Sequence, residues 1–532
     1  MYTYFYQKER MRRAVKTEKW NQFAGKADRF AAALILVLVL AFMLALTFCA
    51  FTQTADLNTN DPSGEHIDFY SDNVFLNLLM QGMLLCALYL FYRYCDHISL
   101  ARIQIVLGLW VFLTGTVFIA SVKLRAPYYT DSYMVTYAAQ RAAVHDFATL
   151  TDPYFRRFPF QLGYVFYSEL FFRVAGKILA GLPEGYQWLA LQEVNLLWLI
   201  LAEIAVVQSA RLLFQKERTV KLTAALLFVC FQPILSVTFL YGNTPAFACG
   251  CAAVWMFLLY LKNKRLLFAL LTAVALTAAV TLKLNLLIFL VAIGGVWLLE
   301  SMKERSWRSF VCLVLTVACV LTVSKQPQRL YEKRMGQSFG SGIPMIAWMA
   351  MGFDEGHAAP GWYRENHTVT AFYHTGEDPK ATAALAKVAL KNRVADFAAH
   401  PDEALHFFWA KLRSQWNEPT YESIWLNQVH MSFSEKGRVY GFLCGEGSAE
   451  RRTTAVMNQF QQLIYFGMLL GCFGLWHRKN AKSCLLPLIV LGGLLYHLLF
   501  EAKSQYALPY FVLMLPVAAY GYSRLFHRIE YR

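Results

Sequence analysis

Apolar and polar positions alternate along this chain in long blocks rather than in short periods. Blocks of 17 to 25 apolar residues recur over most of its length, and each can cross a hydrocarbon core of about 30 Å. Backbone polar groups in such a core have to be satisfied within the segment, so the blocks predict helices. The predicted helices are 29–51, 73–94, 103–123, 160–179, 188–213, 220–240, 245–261, 265–282, 285–301, 308–324, 456–475, 483–500 and 506–526.

Composition supports the same class of protein. Hydrophobic residues make up 57% of the chain and charged residues 16%, whereas soluble domains carry about 25% charged residues. We therefore predict an all-α polytopic protein of the cell membrane with 13 or 14 transmembrane helices. The net charge of +15 comes largely from short caps between apolar blocks, which is typical of cytoplasmic anchors, and we expect no nucleic-acid partner. These caps are 10–16, 262–265, 303–305 and 477–479.

The basic caps also predict a topology. With the N-terminus inside, Asp131 and Asn243 both lie on the outer face, which requires an even number of crossings between them. Three predicted helices separate them, so the preferred interpretation splits 220–240 at Pro233 into two half-helices. That interpretation gives fourteen segments with both termini inside, and it puts 211–221 outside.

Four regions follow from these patterns. Two additional N-terminal helices precede a transmembrane module, whose first outer loop, 124–159, carries a helix on the membrane surface. The next region is polar, which predicts a folded, mainly helical domain on the outer side. The last region contains the C-terminal transmembrane helices and a cytoplasmic tail. The region boundaries are 1–102, 103–324, 325–455 and 456–532.

Asp131 is the first candidate for chemistry, because it lies in a short polar stretch between apolar helices. A carboxylate there can accept the proton of an attacking hydroxyl, while cations hold an anionic leaving group. An alternative is that Asp131 only caps the following helix. The neighbouring basic residues can bind phosphate or reach lipid headgroups. They are Lys123, Arg125, Arg156 and Arg157.

Further charged residues follow predicted helices on the same face. Lys283 lies between two apolar segments, and Glu501 and Lys503 precede the last helix. A charged residue in such a position faces a cavity or caps its helix, and both interpretations stay open. No His or Cys cluster has the spacing of a transition-metal site, and a divalent cation at Asp131 has no pattern to support it. We therefore expect no cofactor.

Six short motifs follow one another along the chain. They are Pro127-Tyr-Tyr-Thr-Asp131, Tyr154-Phe-Arg-Arg-Phe-Pro159-Phe-Gln-Leu-Gly163, Leu240-Tyr-Gly-Asn243, Thr281-Leu-Lys283-Leu-Asn285, Ile343-Pro-Met-Ile-Ala-Trp348-Met-Ala-Met-Gly352 and Glu501-Ala-Lys-Ser-Gln-Tyr506. Taken in this order, they resemble motifs of the membrane-embedded glycosyltransferases of the GT-C type, which include protein O-mannosyltransferases and bacterial aminoarabinose transferases. The similarity extends over about residues 103–526, and the order of the motifs and their placement at helix ends carry it.

The resemblance implies an inverting glycosyltransferase that takes sugar from a polyprenyl-phosphate donor on the outer face, with Asp131 as the base. Its acceptor would be a glycan, a lipid or a protein, and membrane lipids surround it. In two places the chain departs from the family, which often has an acid at the position of Asn243 and an arginine at that of Gln505. The expected phosphate-binding residues are Arg125, Arg156, Arg157, Lys283 and Lys503, and the expected substrate-binding residues are Tyr129, Tyr241, Asn243, Glu501 and Tyr506.

Two other functions remain as alternatives. A flippase or transporter for lipid-linked sugars would need internal repeats and a polar path across the bilayer, and the sequence shows no clear repeat. A polysaccharide polymerase or ligase also has many helices and a large outer loop. Its chemistry would depend on an arginine–histidine arrangement in that loop rather than on an acid in the first one.

Overall fold

The computed structural model describes residues 2–58, 66–123, 131–183, 185–356, 358–429 and 436–530, without the side chains of 2–5 and 7–17. About 82% of the protein is helical. The first elements are α1 (Tyr2–Thr52), β1 (Gln53–Asn58), β2 (His66–Ser71), α2 (Val74–Tyr94), α3 (Leu100–Val122), α4 (Asp131–Ala143), α5 (Pro153–Arg157), α6 (Leu162–Ile178), α7 (Gly185–Phe214), α8 (Glu217–Phe228) and α9 (Gln232–Leu235).

The second half of the chain is helical as well. Its first elements are α10 (Asn243–Asn263), α11 (Leu266–Leu282), α12 (Leu287–Glu304), α13 (Trp307–Val323), α14 (Gln326–Met335), α15 (Met345–Gly352), α16 (Ala371–His374) and α17 (Pro379–Ala399). Its last elements are α18 (Pro401–Trp416), α19 (Ser423–Val429), α20 (Arg438–Cys444), α21 (Ser448–Leu475), α22 (Leu485–Leu499) and α23 (Leu508–Glu530).

The helices form a bundle with two distinct ends. The Asp131 end carries the β-hairpin, Asp131 itself, Lys283 and the loop 500–507. The opposite end, termed the basic end, is held by contacts between loops and helix termini. These contacts join Arg218 to Asp96 and Glu530, Lys303 to Asp28, Lys264 to Glu304, and Arg478 to the carbonyl of Leu213.

Helix α6 was predicted to cross the membrane, and the structure corrects this. Tyr167 accepts a hydrogen bond from Trp198 at 2.8 Å, and further along α6 the ring of Phe172 lies 5.7 Å from that of Trp188. Helix α7 ends at the basic end, so Trp188 lies farther from that end than Trp198 does. Because Phe172 comes after Tyr167 in the sequence, α6 runs away from the basic end. Helix α6 therefore begins and ends on the Asp131 side of the bundle.

This placement removes the conflict that led the sequence analysis to split 220–240. Asp131 and Asn243 share one end because α6 does not cross. The predicted break near Pro233 is present, since α8 ends at Phe228 and the turns of Gln232–Thr238 are bent against it by 42°. Together they lead from Arg218 at the basic end to Phe239 at the cleft. The segment 211–221, predicted on the outer face, lies at the basic end, where Arg218 pairs with Glu530. The preferred topology of fourteen segments was therefore wrong in this region.

The chain is an all-α polytopic membrane protein. Among the described residues, eight helices are long and apolar enough to span a membrane, or nine with the bent pair. The predicted helix 265–282 is shorter, with 17 residues in α11, and α21 and α23 are outside that set. Most of α23 and much of α21 are buried in the main core among other helices, where side chains do not face lipid. The total of 13 or 14 crossings is not confirmed.

A β-hairpin between α1 and α2 was not predicted. Its antiparallel register pairs Gln53 with Ser71 and Asn58 with His66. The Ala55 amide donates to the carbonyl of Asn417 at 3.2 Å, and the Ile67 amide donates to that of Ala358 at 3.3 Å. The hairpin thereby connects the N-terminal helices to the region 325–455.

The region 325–455 is mainly helical in its described part, and it packs directly on the bundle. The buried ammonium of Lys411 donates to the carbonyls of Leu498 and Phe500 at 3.0 and 2.7 Å, and it also binds that of Gly352. Trp416 and Tyr421 belong to the main core of the bundle. These contacts hold the loop after α22 in place at the Asp131 end.

Helices α21 and α23 approach closely at small residues. A Cβ atom at Gly471 would lie 2.2 Å from the carbonyl oxygen of Val517, and one at Gly467 would lie 2.5 Å from the ring of Tyr522. Such Gly-x-x-x-Gly spacing lets two helix backbones touch. These glycines therefore set the distance between the two helices.

We expect Gly471→Ala to destabilise the protein by about 1 to 3 kcal/mol, because the new methyl group has to push α23 away. Thermal unfolding in detergent or nanodiscs measures the effect. Gly176→Ala is the control, since a Cβ there meets nothing within 4 Å and α6 gains helix propensity. An unchanged unfolding midpoint for Gly471→Ala would contradict the close packing of α21 and α23.

The course of α6 predicts a labelling pattern for single cysteines placed at exposed lysines. Cysteines replacing Lys177, at the end of α6, and Lys380, in α17, should react with an impermeant maleimide from the same side of the membrane. A cysteine replacing Lys216 should react from the other side. The experiment uses a variant without reactive native cysteines. Labelling of Lys177→Cys together with Lys216→Cys would show that α6 crosses.

Candidate functional site

A cleft of about 1040 Å³ opens at the Asp131 end of the bundle. Its walls come from the N-terminus of α4, the turns around α6, the junctions α11–α12 and α13–α14, α15 and the loop 500–507. Six of the residues singled out in the sequence line it together. They are Asp131, Tyr241, Lys283, Glu501, Lys503 and Tyr506.

Asp131 is the first residue of α4 and is exposed to the cleft. Its Oδ2 accepts a hydrogen bond from the hydroxyl of Tyr241 at 3.1 Å. Tyr241 precedes Gly242, which has a positive φ of 84°. A Cβ atom there would lie 3.0 Å from the ring of Tyr164 and 3.2 Å from the carbonyl oxygen of Leu282, which is a tight contact. The glycine thus permits the tight turn that directs Tyr241 at Asp131.

Lys283 directly follows α11, and its side chain lies beside Tyr241. Its ammonium nitrogen lies 3.6 Å from the centre of the Tyr241 ring, within the range of a cation–π contact. Burial lowers the pKa of Lys283 to about 7, and the nearby carboxylates of Asp131 and Glu501 oppose that shift. A cation and a carboxylate therefore contact the same tyrosine, the cation at the ring face and the carboxylate at the hydroxyl.

Two fully buried carboxylates, Glu418 and Glu422, accept hydrogen bonds from the loop 500–507. Ser504 donates to Glu418 at 2.7 Å, and the side-chain amide of Gln505 donates to Glu422 at 2.9 Å. The hydroxyl of Tyr506 donates to Glu501 at 3.3 Å. This network fixes the backbone from which Glu501, Lys503 and Tyr506 reach the cleft.

Asn243 lies behind the main cleft and lines a smaller adjoining cavity of about 70 Å³. Its side-chain amide donates to Oε1 of Gln505 at 3.2 Å. These are the two residues at which the chain departs from the pattern that the resemblance implies. In this chain a hydrogen bond between two neutral amides occupies that position.

The two arginines of the Tyr154–Gly163 motif do not join the site. Arg156 binds Glu377 at 2.7 Å, and neither Arg156 nor Arg157 lines the cleft. The backbone carbonyl of Arg157 accepts from Ile343 instead, at 3.1 Å. The structure therefore does not bring these two arginines together with Asp131 and Lys283, and their role in phosphate binding stays a prediction. Arg125 and Tyr129 lie outside the described residues.

Several cleft residues were missed by the sequence analysis. Lys325 and Arg329 are exposed on the wall at the junction of α13 and α14. They could have been predicted, because both are charged residues that closely follow an apolar helix. Aromatic and acidic side chains from the region 325–455 had no comparable signal, because they are distant from Asp131 in sequence. They are Trp348, Tyr363, Glu365 and Trp425.

In the described ranges, the single group of residues whose donor atoms could hold a metal ion is Asp396, His400 and Glu403. This group lies at the corner between α17 and α18 and does not line the cleft. Two of its members are exposed to solvent. The cleft itself is lined by carboxylates, cations and aromatic side chains.

Comparison with models of known protein families and with curated protein sequences finds no match for this chain. The family resemblance therefore rests on the ordered motifs alone.

Proposed function

We propose that this protein is a glycosyltransferase of the GT-C type that uses a polyprenyl-phosphate sugar as its donor. The observation that carries the proposal is the meeting of Asp131 and Lys283 in one large cleft at a single end of a membrane bundle. A lipid-linked phosphate needs a cation at the end of the bundle, and transfer of its sugar needs a base beside that cation. Both requirements are met within the cleft.

In the proposed reaction, Asp131 accepts the proton of the acceptor hydroxyl as its oxygen forms a bond to the anomeric carbon of the sugar. The bond from that carbon to the phosphate oxygen breaks, and the polyprenyl monophosphate leaves with the bonding electron pair. The departing phosphate is already a stable anion, so no strong general acid is required. Attack opposite the leaving group inverts the anomeric configuration.

Lys283 and Lys503 are proposed to bind the donor phosphate, and Lys325 and Arg329 to add positive potential from the wall at the α13–α14 junction. Positive groups that are already in position stabilise developing charge without reorganisation. The aromatic side chains of Trp348, Tyr363 and Trp425 offer flat faces for sugar rings. We propose that the region 325–455 recognises the acceptor and that the cleft faces outward from the cell membrane.

Asp131→Asn tests the base directly. We expect sugar transfer to fall about 10²- to 10⁴-fold, because the amide cannot accept the proton, while folding and donor binding persist. The assay follows release of radiolabelled hexose or pentose from farnesyl phosphate sugars to water or to added glycans. Wild-type turnover in the Asn variant would exclude Asp131 as the base. Absence of release by the wild-type protein from every such donor would exclude the proposed function.

Donor binding should also depend on pH through Lys283. An ammonium with a pKa of about 7 is charged below that pH and neutral above it, so affinity for the donor should fall as pH rises. A decrease of about tenfold is expected between pH 6 and pH 8, where the phosphodiester keeps its charge. Equilibrium binding of a farnesyl phosphate sugar measures it.

Lys283→Arg is the matched control for this prediction, because a guanidinium stays charged throughout that range. Its affinity for the donor should not change between pH 6 and pH 8. An equal pH dependence in the wild type and in Lys283→Arg would remove Lys283 from the phosphate site.

A further inference from the structure

The hydroxyl of Tyr241 has three polar partners. It donates to Oδ2 of Asp131 at 3.1 Å, it lies 3.3 Å from the hydroxyl of Tyr154, and it accepts from the side-chain amide of Gln161. A phenol has one proton to donate and can accept from two groups. All of its hydrogen-bonding capacity is therefore in use.

The carboxylate of Asp131 can only accept, so the contact with its Oδ2 is one to which Tyr241 donates. Gln161 donates to Tyr241 through its amide. Because Tyr241 has one proton, the hydroxyl of Tyr154 has to act as the donor in the third contact when Tyr241 donates to Asp131. Burial and the charge of Asp131 raise the pKa of Tyr241 well above its ordinary value, which keeps the phenol protonated. Tyr241 is thus a constant hydrogen-bond donor to one oxygen of the carboxylate.

The ring of Tyr241 has a second contact, which is independent of its hydroxyl. The ammonium of Lys283 lies against the ring face, 3.6 Å from its centre. Replacing tyrosine by phenylalanine keeps that face and removes only the hydroxyl. The two contacts can therefore be separated by substitution.

We propose that Tyr241 is the positioning residue of the catalytic base: it holds Oδ2 of Asp131 and leaves Oδ1 for the reacting hydroxyl. This inference rests on the proposed function. It assigns Tyr241 to the orientation of the base, whereas the family resemblance suggests substrate binding. A carboxylate held at one oxygen loses rotational freedom, which favours the geometry required for proton transfer.

Tyr241→Phe is the central test. The kcat for release of sugar from a farnesyl phosphate hexose or pentose to water should fall about 10- to 100-fold, as expected for loss of a hydrogen bond to a charged group. The KM for the donor should stay within about twofold, because the contact between Lys283 and the ring remains. A merely structural defect would not separate kcat from KM in this way.

Two further variants complete the experiment. Tyr241→Leu removes both the hydroxyl and the ring, and it should raise the donor KM in addition to lowering kcat. Tyr167→Phe is the matched control, because it removes another phenol, which accepts from Trp198 and does not line the cleft. Its kcat and KM should equal those of the wild type.

The double variant Asp131→Asn with Tyr241→Phe separates the inference from the proposed function. If Tyr241 acts through Asp131, the double variant should be no slower than Asp131→Asn alone. An equal loss from Tyr241→Phe in both backgrounds, or a wild-type kcat for Tyr241→Phe, would overturn the positioning role and leave Asp131 as the base. Wild-type turnover for Asp131→Asn would instead overturn the proposed mechanism itself.

Discussion

The cleft is organised around one requirement: the cationic side chain of Lys283 has to be accommodated at the end of an apolar bundle. An ammonium withdrawn from water needs nearby negative charge or polarisable groups to offset the loss of hydration. The face of Tyr241 supplies one such group, and the carboxylates of Asp131 and Glu501 supply charge nearby. The start of α4 and three breaks in helical structure, after α9, after α11 and after α22, bring these four side chains together.

The loop after α22 is held in place by buried polar groups of the region 325–455. Lys411 binds the carbonyls that close α22, and Glu418 and Glu422 bind the next turn. This region therefore does more than cover the cleft. Its buried charges are used to hold the backbone of the loop 500–507, which carries Glu501 and Lys503.

Hydropathy was sufficient for the fold class and for most of the spans, because a long apolar block has few alternatives to a membrane helix. It failed for α6, since length and apolarity do not tell whether a helix crosses the membrane or stays on one side. Site residues such as Lys283 were predictable as charges isolated between apolar blocks. The ion pair of Arg156 was not predictable, because its partner Glu377 is 221 residues away in the sequence.

The Asn243–Gln505 pair alters how the proposed donor is held. A guanidinium fork would fix the plane of a phosphate, whereas an ammonium attracts it without preference for direction. In the proposed enzyme, the Asn243–Gln505 pair is neutral and the ammonium of Lys283 would be the group nearest to the phosphate. The attached sugar would then be free to turn about that phosphate. Stereochemical choice among sugars then falls to the shape of the aromatic walls, so donors that share a prenyl tail would be sorted by fit rather than by electrostatic anchoring.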